Sequence, residues 1–403
     1  MTDIEVRTAS ADDFEAMRDL FAAAMMFDAS PDELSRQIFE PERALVAVDG
    51  DQIVGTTKAL TRDLSLPGAV VPAAHVTGVG VRATHRRRGI LSQLMTRQLR
   101  EVPEPIAVLW ASEPGIYGRF GYGAAAWAVN FEADLHRVGP PAVRTRPGEL
   151  GEISVDDALM TLPALLRAVQ DQRAGVSGRS ELRWQQHLQD KPDDRNGRTA
   201  RHILVHRDET GTVDGYALWR GKMNWGPAGP VNEVLVEELV APEFSAYKVL
   251  WQHLLTMDLS AKLGYGYGAV DEPIMQLVTT PTALDRRVSE SLWLRVTDVP
   301  GALRQRRYAV PIDLVLEVTD DLIESNNGRF QLTGDDALVS CERTDSPADL
   351  SLSVGELGAA YLGGRKLAEF ATTGRVTEHT PGAINRATAA FTWPLAPVSL
   401  EVF

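Results

Sequence analysis

Val76-Thr-Gly-Val-Gly-Val-Arg-Ala-Thr-His-Arg-Arg-Arg-Gly-Ile-Leu-Ser-Gln-Leu-Met95 joins a β-branched run, a basic turn closing on glycine, and an apolar stripe at helical spacing. The order reads strand, turn, helix. A helix start leaves about four backbone N–H groups without intrahelical partners and carries partial positive charge, so it receives an anion readily. Gly89 permits close backbone approach, Arg86, Arg87 and Arg88 add positive charge, and Ile90, Leu91, Leu94 and Met95 supply a buried face. A pyrophosphate fits that description. A Walker phosphate loop is excluded because no Gly-Lys-Ser/Thr follows, and a Rossmann fingerprint because the glycine triplet before the helix is missing.

Working outward, Ile4 to Arg7 predicts a first strand and Ala9 to Met26 a helix, with Ser10-Ala-Asp-Asp13 as its start signal. Ala44 to Val48 and Ile53 to Ala59 flank Asp49-Gly50-Asp51-Gln52 and predict an antiparallel hairpin. After the strand ending near Val81, Ile106 to Ala111 is an apolar run of strand length, and Pro114-Gly115 interrupts the pattern. The plan then repeats. Ile203 to His206, Tyr216 to Arg220 and Glu233 to Val240 read as strands, and Phe244 to Met257 as a helix, but the crossover Ala241 to Tyr247 holds neither arginine nor glycine. A carboxylate at that helix start, Glu243, repels a pyrophosphate, so no second coenzyme site is expected.

The pattern changes again after Val299-Pro300-Gly301. Ile312 to Val318, Arg329 to Leu332, Ala337 to Cys341 and Leu350 to Val354 predict antiparallel strands, separated by turns such as Asn326-Asn327-Gly328 and Thr333-Gly334-Asp335-Asp336. Gly264-Tyr-Gly-Tyr-Gly268 reads as a loop. His202 and His206 share one face of a strand, but two histidines do not make a metal site, and no metal is expected.

At 403 residues the chain exceeds one ordinary core. With 44% apolar and 24% charged residues it matches an ordinary globular protein and no disorder class. The formal charge of −14 argues against a generic nucleic-acid surface and suits cationic partners. A single cysteine, Cys341, rules out an internal disulfide framework. No basic-then-apolar leader opens the sequence, and no uninterrupted apolar run is long enough to span a membrane. The expected location is cytoplasmic, with export by a route needing no recognisable signal left open.

Arg86-x-x-Gly89 after Val79-x-Val81 resembles the acyl-CoA signature of GCN5-related N-acetyltransferases, with Leu91 where that signature usually has Gly or Ala. Thr84-His-Arg-Arg-Arg-Gly-Ile-Leu91 and Ala111-Ser-Glu-Pro-Gly-Ile-Tyr-Gly-Arg-Phe-Gly-Tyr-Gly123 carry a resemblance, over essentially the whole chain, to the Eis (enhanced intracellular survival) family within that group. The resemblance implies an α+β (mixed α/β) fold with two acetyltransferase-like domains in tandem and a C-terminal sterol-carrier-like domain. The expected divisions are 1–150, binding acetyl-CoA; 151–297, a degenerate copy; and 298–403, ending in a catalytic carboxylate. It also implies a homohexamer.

The implied reaction moves acetyl directly from acetyl-CoA, the co-substrate, to an amine. The expected acceptor is a cationic small molecule of aminoglycoside or polyamine type, or a lysine. An alkyl ammonium has a reference pKa near 10.4, so a base must take a proton. The resemblance gives that role to the terminal carboxylate of Phe403, which needs low-dielectric surroundings to rise from about 3.5. It gives the general acid role to Tyr117; on chemistry alone, Tyr117 and Tyr122 are not separable. Backbone groups of Val79, Gly80 and Val81 would polarise the thioester and pair with pantetheine. Arg87, Arg88, Gly89, Ile90, Leu91 and Ser92 would hold the diphosphate, Ser112 and Glu113 would line the coenzyme channel, and Asp28 and Glu401 are candidate acceptor anchors. The competing reading is a non-catalytic acyl-CoA or lipid carrier.

Overall fold

Two tight turns and one glycine bulge organise the sheet that carries the basic turn. In a computed structural model, residues 4–141, 148–335 and 338–403 are described. The chain forms two compact units: Met1–Ala126 with Leu292–Pro394 and Val402–Phe403, and Trp127–Ser291 with Leu395–Glu401. In the first unit, β1 (Glu5–Thr8), β2 (Ala44–Asp49), β3 (Gln52–Leu66), β4 (Ala69–Val81) and β5 (Ile106–Trp110) form a sheet in sequence order. Leu292–Val296 adds to β5, and β6 (Gly123–Ala124) closes the row. Gly50, at φ +62°, makes the expected β2–β3 turn. The β3–β4 hairpin is longer than the sequence pattern indicates. β3 runs past Ala59 through Thr61, Arg62 and Asp63 to Leu66, because Pro67-Gly68, with Gly68 at φ +69°, supplies the real reversal.

Four helices matter here: α1 (Phe14–Met25), α2 (Glu33–Gln37), α3 (Ile90–Glu101) and α4 (Pro114–Tyr117). Ser10 and Asp13 form the capping box that the sequence signals, ahead of one 3₁₀ turn and α1. Ile90 and Leu94 of α3 pack on Leu45, Ala47 and Val54, while Met95 and Leu99 pack on Ala59, Ala74 and Ala107. A Cβ at Gly55 would lie 2.7 Å from Ile90 Cγ2, so glycine there lets the helix approach the sheet. Inside this contact Thr57 donates a 2.6 Å hydrogen bond to Gln98.

The carboxy-terminal part of the first unit has a five-stranded sheet centred on Ile312–Thr319, flanked by Gly328–Gly334 and Leu350–Ser353. Leu350–Ser353 pairs parallel with Ile312–Thr319, where its alternation suggested an antiparallel strand, and antiparallel with Val376–Glu378 on its other side; Val339–Arg343 occupies the opposite edge and the chain crosses back over the sheet. Asp336 and Ala337, within the expected turn and strand, lie outside the described residues. The helix Val354–Ala360 presents Gly355 to Gly123, where an added Cβ would come 2.1 Å from the Gly355 carbonyl oxygen.

The second unit has a seven-stranded sheet in which Asn232–Val240 and Ser260–Ala269 pair parallel across the helix Phe244–Leu255. Trp127–Asp134 belongs to this sheet. Gly264 to Gly268 is strand rather than loop. Leu263 and Tyr265 are buried between two neighbouring strands, whose backbone pairing stabilises a segment that glycine content alone disfavours.

Candidate active site

β4 and β5 run parallel and pair at Ala74 with Ala107 and His75 with Val108. β4 continues to Val81, and between its far end and the segment after β5 lies a cavity of about 460 Å³. Val79, Gly80 and Val81 form one wall; Ser112, Glu113 and Tyr117 stand on the other. Gly78, at φ +63°, sits in a bulge that shifts register from Lys58–Thr77 to Thr56–Gly80 and re-aims the wall.

The cavity ends on the basic turn. Gly89 is the residue preceding α3, at φ +80°, and a Cβ placed on it would meet nothing within 4 Å, so open space lies over the backbone there. Ile90, Leu91 and Ser92 form the first turn of α3, whose N–H groups have no intrahelical partner, and all three line the cavity. Leu91, the departure from the usual signature, packs its side chain against the core beside Met95 and Tyr117. Arg86 and Arg87 line the cavity, whereas the Arg88 guanidinium lies 3.6 Å from Asp49, which also pairs with His85 at 3.2 Å. Arg119 and Met25 join the lining without having been foreseen; Arg119 lies two residues beyond Tyr117 in the quoted glycine-rich stretch.

The two tyrosines separate here. Tyr117 is 6% exposed, lines the cavity and hydrogen-bonds with Ser112. Burial, reinforced by the Glu113 charge, holds its phenol above the ordinary value against the opposing Ser112 hydrogen bond, so it stays protonated near neutrality. Tyr122 stands edge-on to it at 6.0 Å, with its hydroxyl buried and without a hydrogen-bond partner among the described residues.

β4 also meets the end of the chain. Thr77 donates a 2.9 Å hydrogen bond to the Phe403 main-chain oxygen, and the Phe403 ring packs edge-on to the buried His75 at 4.6 Å, with Arg62 5.7 Å from its centre. Thr77 and Gly78 line a second cavity of about 280 Å³, walled by α1, β3 and the start of α2. Asp28 is exposed and outside that lining, although its neighbours Phe27 and Ala29 contribute to it. Glu401 belongs to the second unit, where it accepts a 3.2 Å hydrogen bond from Arg179; Arg179 also holds the buried Glu238.

His202 stacks on Trp219 at 4.2 Å and bonds Glu152, while His206 pairs with Asp214 at 2.5 Å. Among the described residues no group of three or more His, Cys, Asp or Glu side chains could hold a metal, and no helix is long and apolar enough to cross a membrane.

Residues 5–125 and 175–296 each match an acetyltransferase (GNAT) domain, and residues 299–399 match a sterol carrier protein domain. An N-acetyltransferase of Streptomyces avermitilis is 38% identical over 403 residues, covering 98% of each chain. N-acetyltransferase Eis of Mycobacterium bovis is 30% identical over 400 residues, covering 94% of each. The chain belongs to the Eis family of GCN5-related N-acetyltransferases. Eis1 from Mycobacterium abscessus has a crystal structure that superposes over 100% of both chains with a TM-score of 0.85 and 31% identity. An Eis-family chain with two GNAT domains and a sterol-carrier domain is an acetyltransferase that draws on a CoA-based donor.

Proposed function

We propose that the first GNAT domain binds acetyl-CoA in the β4–β5 cavity and passes its acetyl group directly to an acceptor amine. The observation that carries this is the sharing of β4. Val79 to Val81 wall the donor cavity, while Thr77, two residues earlier, lines the second cavity and holds the Phe403 oxygen.

The amine nitrogen forms a bond to the acetyl carbonyl carbon as its proton passes to the Phe403 carboxylate. Main-chain N–H groups around Val79 to Val81 stabilise the oxyanion, the carbon–sulfur bond breaks, and Tyr117 protonates the departing thiolate. Arg86, Arg87 and the first-turn amides of α3 hold the diphosphate. The Thr77 hydrogen bond to the Phe403 main-chain oxygen, with the Phe403 ring packed edge-on to His75, supports placing the carboxylate at the β4 wall.

The division of labour follows the expected domains with shifted bounds: the part of 1–150 up to Ala126 binds the coenzyme, 151–297 is a degenerate copy whose crossover helix starts after Glu243, and 298–403 deliver the chain end, while Trp127–Asp134 joins the second unit's sheet and Leu292–Val296 the first unit's. The carrier reading is less favoured. Arg306 fills the interior of the carboxy-terminal domain, donating to the Tyr361 and Phe391 carbonyls between their rings and that of Tyr308. A cytoplasmic, hexameric enzyme completes the proposal, with sedimentation as its check.

One glycine added after Phe403 tests the base. Turnover, read as thiol release, should collapse while acetyl-CoA affinity stays within about twofold, since the extension moves the carboxylate and leaves the basic turn intact. Unchanged turnover refutes the assignment.

A further inference from the structure

The basic segment after β4 divides by its spacing. Arg82, His85 and Arg88, three residues apart, are tied to the β2–β3 hairpin, while Arg86 and Arg87 line the donor cavity, which His85 borders as well. Ala83–His85 is a 3₁₀ turn, whose three residues per turn bring Arg82 and His85 to one side. Arg82 donates through Nε to the Ile53 carbonyl at 2.8 Å, and its amide donates to the Val54 carbonyl at 2.9 Å. His85 Nε2 lies 3.2 Å from the Asp49 carboxylate, with Nδ1 2.8 Å from the Thr84 hydroxyl, and the Arg88 guanidinium pairs with the same carboxylate at 3.6 Å. Asp49 is fixed in turn at the end of β2, where it pairs with Gln52 across the Gly50 turn.

Between the two clamped residues the backbone is strained. Arg87 has φ +63° and Gly89 φ +80°, two left-handed residues within three, and the first of them carries a side chain. A left-handed backbone at a residue other than glycine persists only where its surroundings over-determine it. Here the residues on both sides, His85 and Arg88, are held by one carboxylate.

We infer that Asp49 is a positioning residue of the donor site: by holding His85 and Arg88 on either side of Arg86 and Arg87, it keeps the turn in the form that presents those two arginines and the first-turn amides of α3 to a diphosphate. This deepens the donor-site reading above and rests on it. Arg88, expected from the sequence to hold the diphosphate, holds the turn instead. Charge alone predicts the opposite sign for Asp49, because removing an anion near a phosphate site tightens phosphate binding. Positioning predicts weaker binding when the carboxylate is lost, since only the fraction of molecules with the turn correctly formed can take the coenzyme.

The test uses the full chain carrying Asp49→Ala, with Asp51→Ala as a control that removes the same charge from the same hairpin turn. Titration calorimetry with CoA should give a Kd about five- to tenfold higher for Asp49→Ala and within about twofold of wild type for Asp51→Ala. With kanamycin as acceptor, Asp49→Ala should raise the KM for acetyl-CoA by a similar factor and leave kcat intact. With S-acetylpantetheine, which lacks the diphosphate, its kcat/KM should match wild type. CoA affinity in Asp49→Ala equal to or tighter than in Asp51→Ala overturns the inference and leaves the donor site standing. An equal loss with S-acetylpantetheine also overturns it, because a general loss of fold then explains the variant. Should wild type not turn over kanamycin, the calorimetric comparison alone decides. Wild-type protein that fails to bind CoA overturns the donor-site reading, and this inference with it.

Discussion

Gly50→Ala and Gly89→Ala form a matched pair that isolates the role of the basic turn. Both glycines have left-handed backbones, at φ +62° and +80°, and a Cβ added at either meets nothing within 4 Å. The folding cost is therefore backbone strain alone, about 1–2 kcal/mol at each site. Part of this is offset because alanine restricts the unfolded chain, leaving about 1 kcal/mol. The consequences for coenzyme diverge. At Gly50 the methyl projects from a hairpin turn, whereas at Gly89 it enters the space over the first-turn amides of α3 and holds a diphosphate away. Loss of one charge-assisted hydrogen bond costs roughly 1.5–3 kcal/mol, or about ten- to a hundredfold in Kd. Titration calorimetry with CoA should show that weakening for Gly89→Ala and less than about twofold for Gly50→Ala, with similar thermal shifts for both. Equal CoA affinity in the two variants would refute the anion-cradle argument.

Tyr117→Phe should lower kcat by about a hundredfold, the range expected for losing a general acid, while Tyr122→Phe keeps most activity and, by deleting an unpartnered buried hydroxyl, costs little stability. The reverse order in steady-state assays moves the acid role to Tyr122. Burial pushes the Cys341 thiol up to about 12, so native protein at pH 8 should resist iodoacetamide and yield its one labelled thiol only after unfolding, as mass spectrometry would report. Asp320 supplies a pH dependence. Burial alone would raise its carboxyl pKa, but Arg295, bonded at 2.6 and 2.7 Å, together with Asn326 holds it below the ordinary value. The lowered value means that its stabilisation is present above the unfolded carboxyl pKa of about 3.9 and lost as pH falls through the folded value. Asp320→Asn should therefore be destabilised at pH 7, and urea titrations should show its deficit against wild type narrowing as pH falls below about 4.

Much of the candidate donor site is legible in one local stretch because strand, basic turn and helix are consecutive in the chain. Gly89, Arg87 and the apolar stripe of α3 need only local geometry to be read, and the Tyr117 segment is similarly local. The β3–β4 hairpin was obscured by polar residues within the strand, although Pro67-Gly68 carried the signal for its turn. Gly264 to Gly268 failed more deeply. Local propensity disfavours a glycine-rich strand, and only its neighbours on both edges make it one.

The second cavity was least legible. Phe14 and Phe21 share a face of the helix expected over Ala9 to Met26; their part in a cavity depends on Phe27, Phe39 and β4 arriving from elsewhere. The sequence by itself determined the basic strand–turn–helix segment, the repeated strand–helix plan and the presence of a third domain, since these are properties of neighbouring residues. Tertiary structure decided that Thr77 meets Phe403, that Arg88 and Glu401 are engaged by Asp49 and Arg179, and that Tyr117 faces the cavity while Tyr122 lies behind it. Those outcomes depend on contacts between segments as many as 326 residues apart. Such distances in sequence leave no periodicity, because packing and hydrogen bonding act on separation in space.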